Sequence, residues 1–297
     1  MKRKEFLKKA VVGAAGVVAG ANVLRANNIK LKESNYDRFL ENTEFENVGF
    51  NHLPNREDRK MNTVLHKAET RGHVNHGWLD THHTFSFANY RNPERMHFGV
   101  LRVLNDDRIN GGTGFGTHPH DNMEIISIPL TGGLAHQDSM GNKHVIRQND
   151  VQVMSAGTGI FHSEYNDSKT EETNFLQIWM FPKKKNVEPR YDQLTFDPKD
   201  RLNKLQQVLS PSKEDDGVFT HQDAWFHLGK FDANKELNYD LKKQGNGLYL
   251  FVLEGAVEVE GQKLEKRDGY GLWDTASVKI KTNSNAEFLL MDVPMSI

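Results

Sequence analysis

The chain has 297 residues, with 38 Lys and Arg against 40 Asp and Glu and no cysteine. A composition that is 37% hydrophobic and 26% charged excludes a fibrous or wholly disordered chain. Near-neutral charge argues against a dedicated nucleic-acid binder, and the lack of cysteine excludes disulfides, thiolate nucleophiles, iron–sulfur clusters and cysteine-bound zinc.

At the N-terminus, Lys2, Arg3, Lys4, Lys8 and Lys9 precede an apolar run from Ala10 to Leu24 with a small-x-small site at Ala19-Gly20-Ala21. This reads as an export signal over residues 1–21. Arg3-Lys4-Glu5-Phe6-Leu7-Lys8 resembles a twin-arginine motif with lysine in place of the second arginine. The apolar run falls short of the roughly 20 residues that span a bilayer, so no membrane anchor is expected once the signal is cleaved. The expected location is the periplasm, by the Tat or Sec route; the alternative is a cytoplasmic protein with an N-terminal amphipathic helix. Residues 22–60 are polar and without apolar period, as in a tether.

From Met61 the pattern becomes β. Phe98–Leu104 and Glu124–Leu130 are short apolar runs bounded by Gly, Asn and Asp, and Ser139-Met140-Gly141-Asn142 reads as a hairpin turn. Such strands at roughly ten-residue spacing predict a sandwich or barrel. A charged stretch from Lys183 to about Gly217 reads as an inter-domain connection, with Lys183-Lys184-Lys185 a solvated loop. Beyond it, Leu248–Leu253, Glu254-Gly255 and Ala256–Glu260 repeat the strand–turn–strand grammar of Ile125–Leu130, Thr131-Gly132-Gly133 and Leu134 onward. The expected fold is therefore all-β, with two copies of one antiparallel barrel at 61–190 and 191–297.

Of the fourteen histidines, eleven lie between His66 and His162, so a metal or acid–base site belongs to the first copy. Side chains alternate along a strand, so His118 and His120 of Gly116-Thr117-His118-Pro119-His120 project from one face. Glu124 has the same parity and joins them if the strand stays regular past Pro119. His162 and Glu164 form a second such pair after Gly157-Thr158-Gly159. Two neighbouring strands delivering these pairs supply imidazole and carboxylate donors suited to iron(II) and its neighbours in the first transition row.

These segments resemble the two cupin motifs: His118, His120, Glu124 and Gly132 follow the first, and Gly159, His162 and Asn166 the second, with Gly157 where the motif has proline. Arg71-Gly72-His73, His76-Gly77-Trp78-Leu79-Asp80, Phe85-Ser86-Phe87-Ala88-Asn89-Tyr90, Leu104-Asn105-Asp106-Asp107 and His136-Gln137-Asp138-Ser139 narrow the resemblance to the bacterial branch of the pirin family, over about residues 62 to 297. The resemblance implies a bicupin whose N-terminal barrel alone holds a metal, most simply iron(II), on His118, His120, His162 and Glu164, with Glu124 nearby but not bound. It further implies a metal-dependent dioxygenase that takes a small aromatic substrate and dioxygen: a flavonol such as quercetin, or a related enol or catechol. Glu164 is then both ligand and candidate base for the substrate hydroxyl. The alternative is a non-catalytic, iron-bearing redox sensor or interaction module of the pirin type.

The remaining features have plainer readings. His82 and His83 point to opposite faces of any strand and cannot share a metal, and the spacing of His73 and His76 does not mark them as ligands. Gly112-x-Gly114-x-Gly116 precedes a strand, whereas a phosphate cradle needs a helix N-terminus. Trp78, Phe85 and Phe87 read as core; Phe115 and Phe161, which flank the ligand pairs, are candidates to line an aromatic slot.

Overall fold

Strands in this chain are runs of β-branched and aromatic residues, cut by glycine or asparagine at positive φ, such as Gly132, Asn149 and Gly255. The computed structural model describes residues 60–297, so the export signal expected at 1–21 and all but the last residue of the tether expected at 22–60 lie outside the described residues. In chain order the strands are β1 (Asn62–His66), β2 (Gly72–Asn75), β3 (Leu79–His83), β4 (Leu101–Ile109), β5 (Gly114–His120), β6 (Glu124–Thr131), β7 (Gly133–Asp138), β8 (Lys143–Arg147), β9 (Asp150–Ser155), β10 (Ile160–Asn166), β11 (Thr173–Met180) and β12 (Arg190–Thr195). There follow β13 (Leu205–Ser210), β14 (Val218–Phe219), β15 (Trp225–Phe231), β16 (Glu236–Asp240), β17 (Asn246–Glu254), β18 (Val257–Val259), β19 (Gln262–Leu264), β20 (Gly269–Trp273), β21 (Ser277–Thr282) and β22 (Ala286–Pro294). Among the described residues, helix is confined to two short 3-10 turns, Ala68–Thr70 and Pro198–Arg201.

Each barrel pairs a seven-stranded with a four-stranded sheet, and the strand orders repeat. The first has β12-β9-β6-β11-β4-β3-β2 with β5-β10-β7-β8; the second has β1-β20-β17-β22-β15-β13-β14 with β16-β21-β18-β19. The expected repeat is therefore real: β6 and β7 occupy the places that β17 and β18 occupy in the second barrel. The pairing crosses the expected boundaries, however. β1 precedes the first barrel in sequence yet forms the edge of the second barrel's large sheet, in register Asn62↔Trp273 to His66↔Gly269. β12, all but its first residue beyond residue 190, pairs with β9 of the first. The stretch read as a connection thus carries β12 and β13, one for each large sheet.

The two large sheets meet through one apolar cluster drawn from both barrels, including Leu104, Ile126, Ile178, Phe226, Phe251 and Met291. An ion pair is buried here as well: Asp106 Oδ2 lies 3.4 Å from Arg71 Nη1 and 3.0 Å from Arg267 Nε. Burial alone would raise the pKa of Asp106, but Arg267, Asn174 and Arg71 hold it below the ordinary value.

The barrel interiors differ. The second is filled by one aliphatic and aromatic cluster that includes Leu250, Val257, Val278, Ile280 and Phe288. In the first, the apolar residues divide into two groups, Val103, Met123, Ile125, Met154, Ile160 and Trp179 in one and Leu79, Ile109, Leu134, Ile146 and Phe175 in the other. Alternation explains the split: on β4 and β11 the inward positions between the two groups are Asn105, Asp107 and Gln177.

Two buried histidines of the second barrel contribute to its sensitivity to acid. His66 accepts a hydrogen bond on Nδ1 from the Tyr249 hydroxyl at 2.7 Å. Burial lowers both His66 and His227 from 6.5 to about 4. Below pH 6.5 the unfolded chain takes up these protons before the folded one, so stability is lost as pH falls towards 4. Each group contributes a loss of about 2 kcal/mol between pH 7 and pH 5. Urea unfolding at the two pH values is expected to show this fall, and His227→Leu to reduce it by about 2 kcal/mol; an unchanged fall in the variant refutes the assignment.

Candidate metal centre

The expected pairs meet because β10 lies between β5 and β7 in the small sheet of the first barrel. Residue His162 of β10 stands opposite His118 on β5 and opposite Asp138 on β7; Glu164 stands opposite Phe115 and His136. A register shift between His162 and Glu164 adds a residue to β5 there. Gly114 allows the close approach of these strands, since a Cβ there would sit 2.4 Å from Glu164 O. Gly157, at φ +49°, turns the chain into β10 where a Cβ would lie 2.1 Å from Val187 O, which accounts for glycine at the motif's proline position.

The three imidazoles form a triangle, with ring centroids 4.9 Å apart for His118–His120, 4.4 Å for His118–His162 and 4.9 Å for His120–His162. Their donor nitrogens lie within 4.8 Å of one another. Glu164 falls in an overlapping triad with His162 and His136, again within 4.8 Å. Its Oε2 accepts from Gln177 Nε2 at 2.8 Å. Ser127 Oγ lies 3.2 Å from Glu164 Oε1 and 3.1 Å from Gln177 Oε1, so its single proton has two acceptors.

Both ring nitrogens of His162 and Nε2 of His120 are buried without a hydrogen-bond partner. Buried polar atoms are seldom left so, because each costs about 1–3 kcal/mol. Burial, reinforced by His118 and His136, lowers His162 to about 2; burial and the neighbouring His162 and His118 hold His120 well below its ordinary value. Both imidazoles are neutral across the physiological range, as a metal ligand requires. His118 fixes its orientation through Nδ1, which donates to Gly116 O at 2.7 Å and leaves Nε2 as the donor atom. The residues present therefore fit a divalent transition metal.

Several neighbours escaped the sequence reading. His136, buried beside His162 at 5.3 Å between rings, lies 3.2 Å through Nε2 from Asp138 Oδ2. Asp107 is buried on β4, where it accepts from Thr81 Oγ1, and burial raises it to about 7, with Asp106 and Glu164 adding to the effect. Both residues stand in segments that carry the family resemblance, but only parity within β4 and β7 pointed to their place in the site.

Glu124 belongs to neither donor triad, and the regular strand that would have carried it to them does not form. The chain leaves the small sheet after His120, passes Asn122 at φ +45° and enters the large sheet at Glu124, so parity does not carry across. Its Oε2 accepts from Ser155 Oγ at 2.9 Å and, from the second barrel, from Thr220 Oγ1 at 2.9 Å and His221 N at 3.0 Å. Phe161 alternates with His162 and is 37% exposed on the outer face, while Phe115 packs edge-on against Trp78 at 5.2 Å. The aromatic rings against the histidines are instead Trp179, 4.8 Å from His120, and Tyr191, 4.7 Å from His136. His83 turns inward to Asn105 Oδ1 at 2.9 Å and His82 outward onto His73, as their opposite parity requires. Among the described residues no helix is long and apolar enough to cross a membrane.

The chain is similar to known proteins over both barrels. Residues 64–180 match the family model described as Pirin, and residues 207–293 that described as the quercetinase C-terminal cupin domain. A quercetin 2,3-dioxygenase of Escherichia coli K12 is 44% identical over 230 residues, covering 77% of this chain and 98% of that protein. A pirin-like protein of Caulobacter vibrioides is 42% identical over 222 residues, 74% of this chain and 95% of the relative. The crystal structure of a bacterial pirin from Escherichia coli in complex with nickel(II) superposes with a TM-score of 0.74 at 43% identity, covering 78% of this chain and 99% of that one.

Proposed function

The chain belongs to the pirin family, and from that premise we propose that it is a metal-dependent dioxygenase acting on a flavonol such as quercetin or on a related enol or catechol. The proposed ligands are His118, His120, His162 and Glu164, and the proposed metal is a divalent transition ion, iron(II) first. The observation that carries this reading is the set of unpartnered buried nitrogens on His120 and His162, turned neutral by burial beside His118 and a carboxylate. Relatives named quercetin 2,3-dioxygenase and one solved with nickel(II) support it.

When bound, the metal supplies Lewis-acid and redox chemistry for the substrate and dioxygen. His118, His120, His162 and Glu164 would together hold a dication at a net charge of about +1, which would favour an anionic, deprotonated substrate hydroxyl. The chain provides for that proton at Glu164 Oε1. Ser127 Oγ can turn from Oε1 to Gln177 Oε1, 3.1 Å away, and free the carboxylate oxygen to accept it. Gln177 Nε2 keeps Oε2 in place meanwhile. Trp179 and Tyr191 supply aromatic walls beside His120 and His136. The proposed location is periplasmic, resting on residues 1–21; N-terminal sequencing of the protein from cell fractions tests it.

The function test is anaerobic purification and elemental analysis, then oxygen uptake and carbon monoxide release with quercetin. The expected result is about one oxygen consumed and one carbon monoxide released per flavonol opened, both lost in His118→Ala. A metal-replete protein silent with flavonols and enediols overturns the dioxygenase reading and leaves the non-catalytic, iron-bearing one.

A further inference from the structure

We propose that His73, Asp80 and His82 form a second divalent transition-metal site on the outer face of the β2–β3 hairpin, independent of the histidines inside the barrel.

Strand register brings the three together. β2 and β3 are antiparallel with His73 opposite His82 and Asn75 opposite Asp80. Directly opposed residues share a face, and Asp80 and His82, two apart on β3, share it too. The alternate residues Thr81 and His83 are buried inside the barrel, which fixes the outer face as that of His73, Asp80 and His82. These side chains are 52%, 36% and 33% exposed, so the cluster is open to an ion from solvent.

The carboxylate is already aimed. Asn75 Nδ2 donates to Asp80 Oδ2 at 3.2 Å, which turns Oδ1 towards both imidazoles. Oδ1 lies 2.8 Å from His73 Nε2 and 3.7 Å from His82 Nδ1, and the three donor atoms lie within 4.8 Å of one another. Around a tetrahedral ion with bonds of about 2.0–2.2 Å, donors stand roughly 3.3 Å apart. Closing on a metal therefore needs a small approach by His82 and a rotation of the two rings out of their stack, now at 4.3 Å and 14°. Their exposure leaves room for that rotation.

The protonation states suit ligation. Burial, Arg71 and His73 lower His82 below its ordinary value, so its imidazole is neutral at pH 7. His73 donates through Nε2 to a carboxylate that can only accept, so ligation through Nε2 requires that atom to give up its proton. Among the cations nearby, Arg71 is committed to Asp106 at 3.4 Å, and Arg108, opposite Asp80 on β4, to Glu172 at 3.4 Å. Two imidazoles and one carboxylate, with water completing the shell, suit zinc(II), nickel(II) or copper(II).

Zinc is the probe. The full chain, stripped with chelator, is brought to equilibrium dialysis against zinc at neutral pH and its bound metal counted. Wild type is expected to hold about two zinc ions per chain and His73→Ala/His82→Ala about one. His118→Ala/His162→Ala is expected to keep about one, which Asp80→Asn in that background removes. Because the hairpin side chains are exposed, circular dichroism and thermal midpoint should match wild type in His73→Ala/His82→Ala. In zinc-soaked crystals an anomalous peak should lie within bonding distance of Asp80 Oδ1. Equal zinc content in wild type and His73→Ala/His82→Ala, or no anomalous peak at Asp80, overturns the site.

Discussion

His162→Ala is expected to empty the first barrel of metal and to lower flavonol turnover by more than about 100-fold, since loss of even an outer partner of a metal ligand costs 10–100-fold. The expectation follows from position. Among the described residues, His162 alone belongs to both donor triads of the first barrel, one with His118 and His120 and the other with His136 and Glu164. A bulkier replacement separates ligation from packing. No protein group hydrogen-bonds either buried ring nitrogen of His162, a cost without metal of about 1–3 kcal/mol that an apolar side chain of similar size does not incur. His162→Leu is therefore expected to be more stable than wild type in chelator by about 1 kcal/mol. With metal at about 100 times its dissociation constant, wild type regains about 2.7 kcal/mol and the order reverses. Thermal melts of both proteins with chelator and with iron(II) or nickel(II) provide the measurement. A variant that gains as much from metal as wild type shows that His162 is not a ligand.

The parts of this arrangement legible from sequence are those that depend on one strand at a time. His118 with His120, and His162 with Glu164, share faces because side chains alternate, and no knowledge of pairing is needed. That the second barrel lacks such a site was legible from where the histidines fall; on β21, which takes the place of β10, the structure puts Val278 and Ile280 at the inward positions. What was not legible depends on where a strand goes next. Glu124 has the right parity for the site, yet the chain changes sheets between His120 and Glu124, and the carboxylate ends between the barrels with Thr220 and His221. His136 and Asp107 carry no spacing motif and enter the site through the pairing of β7 with β10 and the inward parity of β4. β1 reads locally as a strand, but nothing local reveals a partner more than 200 residues away.

That distant pairing makes the other large effect: a chain beginning at Thr70 is expected to be less stable than one beginning at Lys60 by about 5 kcal/mol, a large share of the 5–15 kcal/mol typical of a domain. Val64 packs into the cluster between the barrels and Leu65 into the interior of the second, so one short strand seals both. Their burial contributes roughly 1–1.5 kcal/mol each. Removing His66 strands the buried Tyr249 hydroxyl, which now donates to it at 2.7 Å, at a cost of about 1–3 kcal/mol. Asp268 loses Ala68 N at 2.8 Å and Lys67 Nζ at 2.5 Å. β20 becomes an open edge of sequence Gly-Tyr-Gly-Leu-Trp, with Leu272 and Tyr270 behind it, a template for strand addition by another copy. Urea unfolding and light scattering of the two chains measure the loss and the association. Hydrogen exchange locates it: amides of β20 and β17 should lose protection while those of β10 and β11 keep theirs, because β1 pairs only with the second barrel. Equal unfolding midpoints for the two chains would show that β1 is a dispensable arm, and that the second barrel closes without it.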